Sequence, residues 1–137
     1  MSVDRLLAGA RSGLLRLKPH DAAEAVRAGG FLVDTRPEYQ RRADGDIPGA
    51  IVVERNHLEW RLDPRSGSRV PEAAHERVHW IVICDEGYSS SLAAASLRAI
   101  GLVNATDVVG GFQEWRAAGL PVTPGGVRPR LAPYDLR

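Results

Sequence analysis

The chain has 137 residues, 44% of them hydrophobic and 26% charged, with a formal net charge of +1. That length suits one domain with a real core, and the near-neutral balance gives no electrostatic case for nucleic acid or an acidic membrane as partner. A single cysteine, Cys84, excludes an internal disulfide, no Cys/His spacing suits zinc, and no window approaches the ~20 apolar residues of a membrane span.

Met1 to Leu15 carries Asp4, Arg5 and Arg11 among its apolar residues, unlike a signal peptide. A reducing, cytoplasmic setting is the default expectation, with no metal or organic cofactor implied. Val3, Leu6, Leu7 and Ala10 fall on one helical face, so residues 1–13 read as a short helical extension or a loosely packed turn. Leu14 to Leu17 is a short strand candidate. Pro19 opens a helix that Gly29-Gly30 terminate. Phe31-Leu32-Val33 is a buried strand running into Asp34-Thr35-Arg36, and Pro37 starts a short helix through Tyr39 and Arg42. Asp44 to Gly49 is a turn cluster, and Ala50 to Val53 a further strand. His57 to Leu62 and Glu72 to Val78 read as helices, separated by a polar loop from Arg65 to Val70. Trp80 to Ile83 is an apolar, β-branched strand. The Ser- and Ala-rich run after Tyr88, with Leu92, Ala95, Ser96 and Ala99 at helical spacing, is a helix stopping near Gly101. Thr106 to Val109 is the last strand, and Phe112 to Ala118 a short helix capped by Gly119. The predicted unit ends at residue 122, and 123–137 reads as an extended, weakly ordered tail.

Five strand segments thus alternate with helices at the spacing of parallel βα units. The strands are apolar on both faces, as a sheet covered by helices on both sides demands. The expected fold is α/β with a five-stranded parallel sheet, and ligands bind such sheets outside the carboxyl ends of the strands.

Cys84 stands at one such end, between a strand and a helix. Unpaired N–H groups and the macrodipole at a helix start favour a thiolate there, and the same amides can hold an anion. Gly87 supplies the conformational freedom a tight loop needs. A small buried hydrophobe would give the same local pattern.

Four stretches resemble the rhodanese family of sulfurtransferases in its single-domain form. Val33-Asp34-Thr35-Arg36 with Pro37-Glu38-Tyr39 is similar to the family's Asp-x-Arg segment. Gly45-Asp46-Ile47-Pro48-Gly49-Ala50 resembles its Gly-His-Ile-Pro-Gly-Ala motif, with Asp46 in place of the histidine. Cys84-Asp85-Glu86-Gly87-Tyr88-Ser89-Ser90 looks like its Cys-x-x-Gly-x-x-Ser loop. Gly110-Gly111-Phe112-Gln113-Glu114-Trp115, followed by Gly119-Leu120-Pro121-Val122, is similar to its closing signature. The resemblance implies an active loop at the carboxyl end of the central strand. It also implies a nucleophile, Cys84, that takes a sulfane sulfur from a donor, holds it as a persulfide and passes it to a thiophilic acceptor. Asp85, Glu86, Gly87, Tyr88, Ser89 and Ser90 would form the substrate-binding loop, with Asp34 and Arg36 supporting it.

Many family members carry basic residues in this loop. Here Asp85 and Glu86 set two carboxylates beside the thiol, which disfavours the thiolate and repels anionic donors such as thiosulfate. A neutral or cationic donor, such as a protein persulfide, suits that charge better. Arg55 and Arg61 are candidate sources of compensating positive charge. Two other classes remain to be weighed. A phosphatase or arsenate reductase of the Cys-x5-Arg type would need arginine where Ser90 stands. A non-catalytic binding module would not need the retained Cys84.

Overall fold

The computed structural model describes residues 1–125. The elements in chain order are helix α1 (Val3–Arg11), α2 (Pro19–Arg27), strand β1 (Phe31–Asp34), α3 (Glu38–Asp44), β2 (Ile51–Val52), α4 (Leu58–Leu62), β3 (Trp80–Ile83), α5 (Ser89–Ala99), β4 (Thr106–Asp107) and α6 (Gly111–Ala117). A 3-10 turn, Arg55–His57, leads into α4.

Each start follows from local chemistry. Ser2 caps α1 by accepting from the Arg5 amide. Pro19 stands in the first turn of α2, where its missing N–H costs nothing. The strands form one parallel sheet in the order β2-β1-β3-β4, with Val33 opposite Ile51 and Val82, and Val82 opposite Asp107.

The period-2 alternation of β3 divides the core. Trp80 and Val82 join Val33, Leu58 and Leu62 of α4, and Ala93, Ala94 and Leu97 of α5 on one face. Ile81 and Ile83 join Leu32, Ala22 and Ala23 of α2, and Phe112 and Trp115 of α6 on the other. Both faces of the sheet are therefore covered, which explains why the strands read as continuous apolar runs.

The sheet has four strands, not the five expected. Of Leu14 to Leu17 only Leu17 pairs, in a single parallel bridge with Val108. Leu14 is buried in one core cluster and Leu17 packs against the other, while Leu15 between them is 87% exposed. The stretch therefore does not alternate as a strand would, and Pro19 turns the chain into α2 two residues after Leu17. The helix expected over Glu72 to Val78 is also absent. Ala73 and Val78 are both buried, yet five residues along a helix would set them about 140° apart. Turns satisfy both instead, with the Ala73 amide bonded to Val70 O and that of Ala74 to Glu72 O.

Asp46, the departure from the histidine of the resembling motif, is buried and pairs with the buried Arg41 at 3.2 Å. Its backbone exchanges two hydrogen bonds with Thr123, at 2.8 and 2.9 Å, so the chain at 123 is paired where an extended tail was expected to begin. From residue 126 the expected tail lies outside the described residues. Among the described residues no helix is long and apolar enough to cross a membrane.

Candidate active site around Cys84

β3 lies inside the sheet and delivers Cys84 to its carboxyl edge, where the thiol is 6% exposed. The chain then curls so that two amides point back at the sulfur. Gly87 N donates to Cys84 Sγ at 3.2 Å and Ser90 N at 3.3 Å. Ser90 lies in the first turn of α5, so the sulfur accepts one of the N–H groups the helix start leaves unpaired. Gly87 has φ +86°, a conformation that penalises any side chain.

The loop is backed by the turn into α6. Phe112 N donates to Cys84 O at 2.8 Å and Gln113 N to Asp85 O at 3.1 Å. Gly111, at φ +60°, comes so close that a Cβ there would stand 2.6 Å from Cys84 O and 2.7 Å from Gly87 N. The Gly-Gly pair is thus a matter of backbone contact with the cysteine loop.

The expected site residues separate into four groups. Cys84, Gly87 and Ser90 are brought together through the sulfur. Glu86, Tyr88 and Ser89 are exposed at the loop's outer side, with the Tyr88 ring 5.7 Å from the Arg11 guanidinium. Asp85 is drawn aside, its Oδ1 accepting from Gln113 Nε2 at 2.8 Å. Asp34 and Arg36 form a buried fork with Nη2–Oδ2 at 2.8 Å. Arg36 also donates to Gly45 O at 2.8 Å and stacks over the Phe112 ring at 3.8 Å. That pair ties the β1 corner to its neighbours.

Arg55 and Arg61 are engaged elsewhere. Arg55 binds both oxygens of Glu59 at 3.0 Å, and Arg61 is buried and donates to Ser68 O at 3.0 Å. Burial raises the Glu59 carboxyl, but the hydrogen bond from Ser96 and the charge of Arg55 outweigh it and hold Glu59 below its ordinary value.

Cations do reach the cysteine loop, from a segment the sequence reading did not single out. Arg11 Nη2 and Arg16 Nη2 both donate to Gly87 O, at 2.8 and 3.0 Å. Arg16 also forks onto the fully buried Asp107, with Nε–Oδ1 at 2.8 Å and Nη2–Oδ2 at 3.2 Å. Ser90 and Ser91 complete that carboxylate's partners, their hydroxyls donating to Oδ2 at 2.7 and 2.8 Å. The one local signal was an aspartate inside an otherwise apolar strand, which needs a partner when buried. Among the described residues no group of three or more His, Cys, Asp or Glu is gathered to hold a metal ion.

Ser90 occupies the position of the arginine in a Cys-x5-Arg loop, and its hydroxyl turns inward to Asp107. That position supplies no fork for the oxygens of a phosphate.

A family model described as "Rhodanese-like domain" matches residues 18–118. The adenylyltransferase and sulfurtransferase UBA4 of Lodderomyces elongisporus is 31% identical over 90 residues, 61% of this chain but only 18% of that protein's length. The thiosulfate sulfurtransferase GlpE of Pseudomonas entomophila is 32% identical over 102 residues, 74% of this chain and 84% of the relative. Among solved structures, a Rhodopseudomonas palustris protein described as a possible tyrosine phosphatase superposes with a TM-score of 0.79 at 30% identity, covering 89% of this chain and 94% of its own.

Proposed function

The chain belongs to the rhodanese-like domain family, and from that premise we propose that it is a sulfurtransferase carrying a sulfane sulfur on Cys84. The observation that carries this reading is the pair of N–H groups, from Gly87 and Ser90, aimed at the Cys84 sulfur. They stabilise negative charge on that atom as thiolate, both when it attacks the donor and when it leaves after the sulfur is passed on. The Cys84 thiolate attacks the outer sulfur of a donor. A Cys84 S–S bond forms while the donor's own bond to that sulfur breaks, and the donor leaves with the electron pair. A thiophilic acceptor then attacks the outer sulfur and Cys84 leaves as thiolate, so no external oxidant or reductant is needed.

The donor is a persulfide in preference to thiosulfate. Asp85 and Glu86 directly follow Cys84 in the chain, Glu86 exposed and Asp85 half-buried, and Arg11 and Arg16 donate to Gly87 O, Ser91 and Asp107. A dianion therefore meets carboxylates at the loop's outer side.

Intact mass after incubating the reduced chain with a low-molecular-weight persulfide, and separately with thiosulfate, tests both parts. The expected result is a gain of one sulfur, about 32 Da, from the persulfide, released by cyanide and absent in Cys84→Ser. Equal loading from thiosulfate would overturn the donor preference. No loading from either donor, in a folded chain with a free thiol, would favour a binding module instead.

A further inference from the structure

We propose that Arg16 and Asp107, with Arg11 assisting, are positioning residues that hold the two N–H donors onto the Cys84 sulfur. The proposal rests on Cys84 being the reacting thiol and adds which residues make it so. Each donor residue is fixed by its other polar group. The carbonyl of Gly87 is held by Arg16 at 3.0 Å and Arg11 at 2.8 Å, and the hydroxyl of Ser90 by Asp107 at 2.7 Å. The Arg16–Asp107 fork then joins the two anchors. The contacts form a closed ring: sulfur, Gly87, Arg16, Asp107, Ser90 and back to sulfur.

Two features argue that the ring serves the thiol. Asp107 is fully buried on a strand between core residues, where an apolar side chain would pack at no desolvation cost. Its carboxylate is nevertheless kept, with Arg16 and two hydroxyls of the α5 start as partners. The ring also crosses the fold, linking the stretch before α2 to β4 and to the first turn of α5. It therefore fixes the loop to the sheet at a place where Gly87 gives the backbone freedom.

The test uses the full chain and the rate at which iodoacetamide alkylates Cys84, read at about pH 7 and about pH 10. Weaker N–H donation leaves less thiolate at neutral pH, whereas at alkaline pH every accessible thiol is ionised. Arg16→Gln is expected to slow alkylation about tenfold at neutral pH, the loss of one well-placed hydrogen bond, with little change at alkaline pH. A merely structural role would loosen the loop and raise the rate at both. Arg16→Lys, which keeps the charge without the fork, recovers only part of the loss. Wild-type rates in a folded Arg16→Gln chain would overturn the proposal, and so would full recovery by lysine. Should Arg16→Gln not fold, Arg11→Gln decides: about a threefold fall at neutral pH supports the ring, and an unchanged rate overturns it. Failure of the wild-type chain to take up sulfur would instead sink the transferase reading, since alkylation reports the thiolate whatever the donor.

Discussion

Two arginine–carboxylate forks stand at the carboxyl edge of the sheet and share one geometry. In each, Nη2 of the arginine bonds both a buried aspartate and a glycine carbonyl: Asp34 and Gly45 for Arg36, Asp107 and Gly87 for Arg16. They differ in span and in what the glycine belongs to. Arg36 lies two residues from Asp34, and Gly45 belongs to the turn after α3, so that fork closes a local corner. Arg16 lies 91 residues from Asp107, and Gly87 faces the thiol. An ion pair of the same geometry thus closes a local corner or ties down the cysteine loop according to which carbonyl its spare N–H takes.

The comparison can be broken at either fork. The largest effect is expected at the corner: Arg36→Ala leaves Asp34 charged and buried, costing about 3–5 kcal/mol. A urea titration should show the lowered midpoint, while the folded fraction still alkylates at the wild-type rate. Faster or slower alkylation would join the two forks into one unit. A smaller effect follows from Gly111→Ala, whose Cβ would press on Cys84 O and Asp85 O. About 2 kcal/mol of strain is expected, and here thiol reactivity changes along with the melting temperature, because the displaced backbone is that of the cysteine loop.

A third fork, Arg55–Glu59, takes no glycine carbonyl among its recorded partners and is partly exposed. Glu59→Gln should leave sulfur loading unchanged. It should matter for acid stability in a set direction. Burial works against the Glu59 carboxylate, but the Ser96 hydrogen bond and the Arg55 charge prevail and lower its folded value beneath the ordinary 4.5. The charged form therefore adds stability that is complete above that pH and lost as the pH falls through the lower folded value. Thermal melts at neutral pH and below about pH 4 should show the gap between Glu59→Gln and wild type closing on acidification.

Much of this was legible from local pattern. The Trp80 to Ile83 strand, the cysteine ending it and the helix after it are contiguous in sequence, and their order alone fixes the sulfur at a helix start. Asp34 and Arg36 stand out in sequence only as supports of the cysteine loop, and the fork they close on each other and on Gly45 O is seen in the structure. Leu14-Leu15-Arg16-Leu17 has the composition of a strand, but Leu15 is left in solvent and only Leu17 pairs, in a single bridge. Glu72 to Val78 has helical propensity, but the need to bury both Ala73 and Val78 overrode it. Asp107 stands out locally as a carboxylate within a strand, but nothing in the sequence says which distant arginine will reach it. Asp85 and Glu86 were visible as charges, and only the structure shows Asp85 turned aside to Gln113.

Because Arg11 and Arg16 precede residue 18, the span matched by the family model leaves out two of the cysteine loop's contacts. A domain excised at residue 18 for fusion or swapping would keep Cys84, Gly87 and both serines. It would lose the two guanidiniums on Gly87 O and leave Asp107 with only hydroxyl donors among its recorded partners. A module that keeps both guanidiniums on Gly87 O begins ahead of α1, at the stretch most easily trimmed as an appendage.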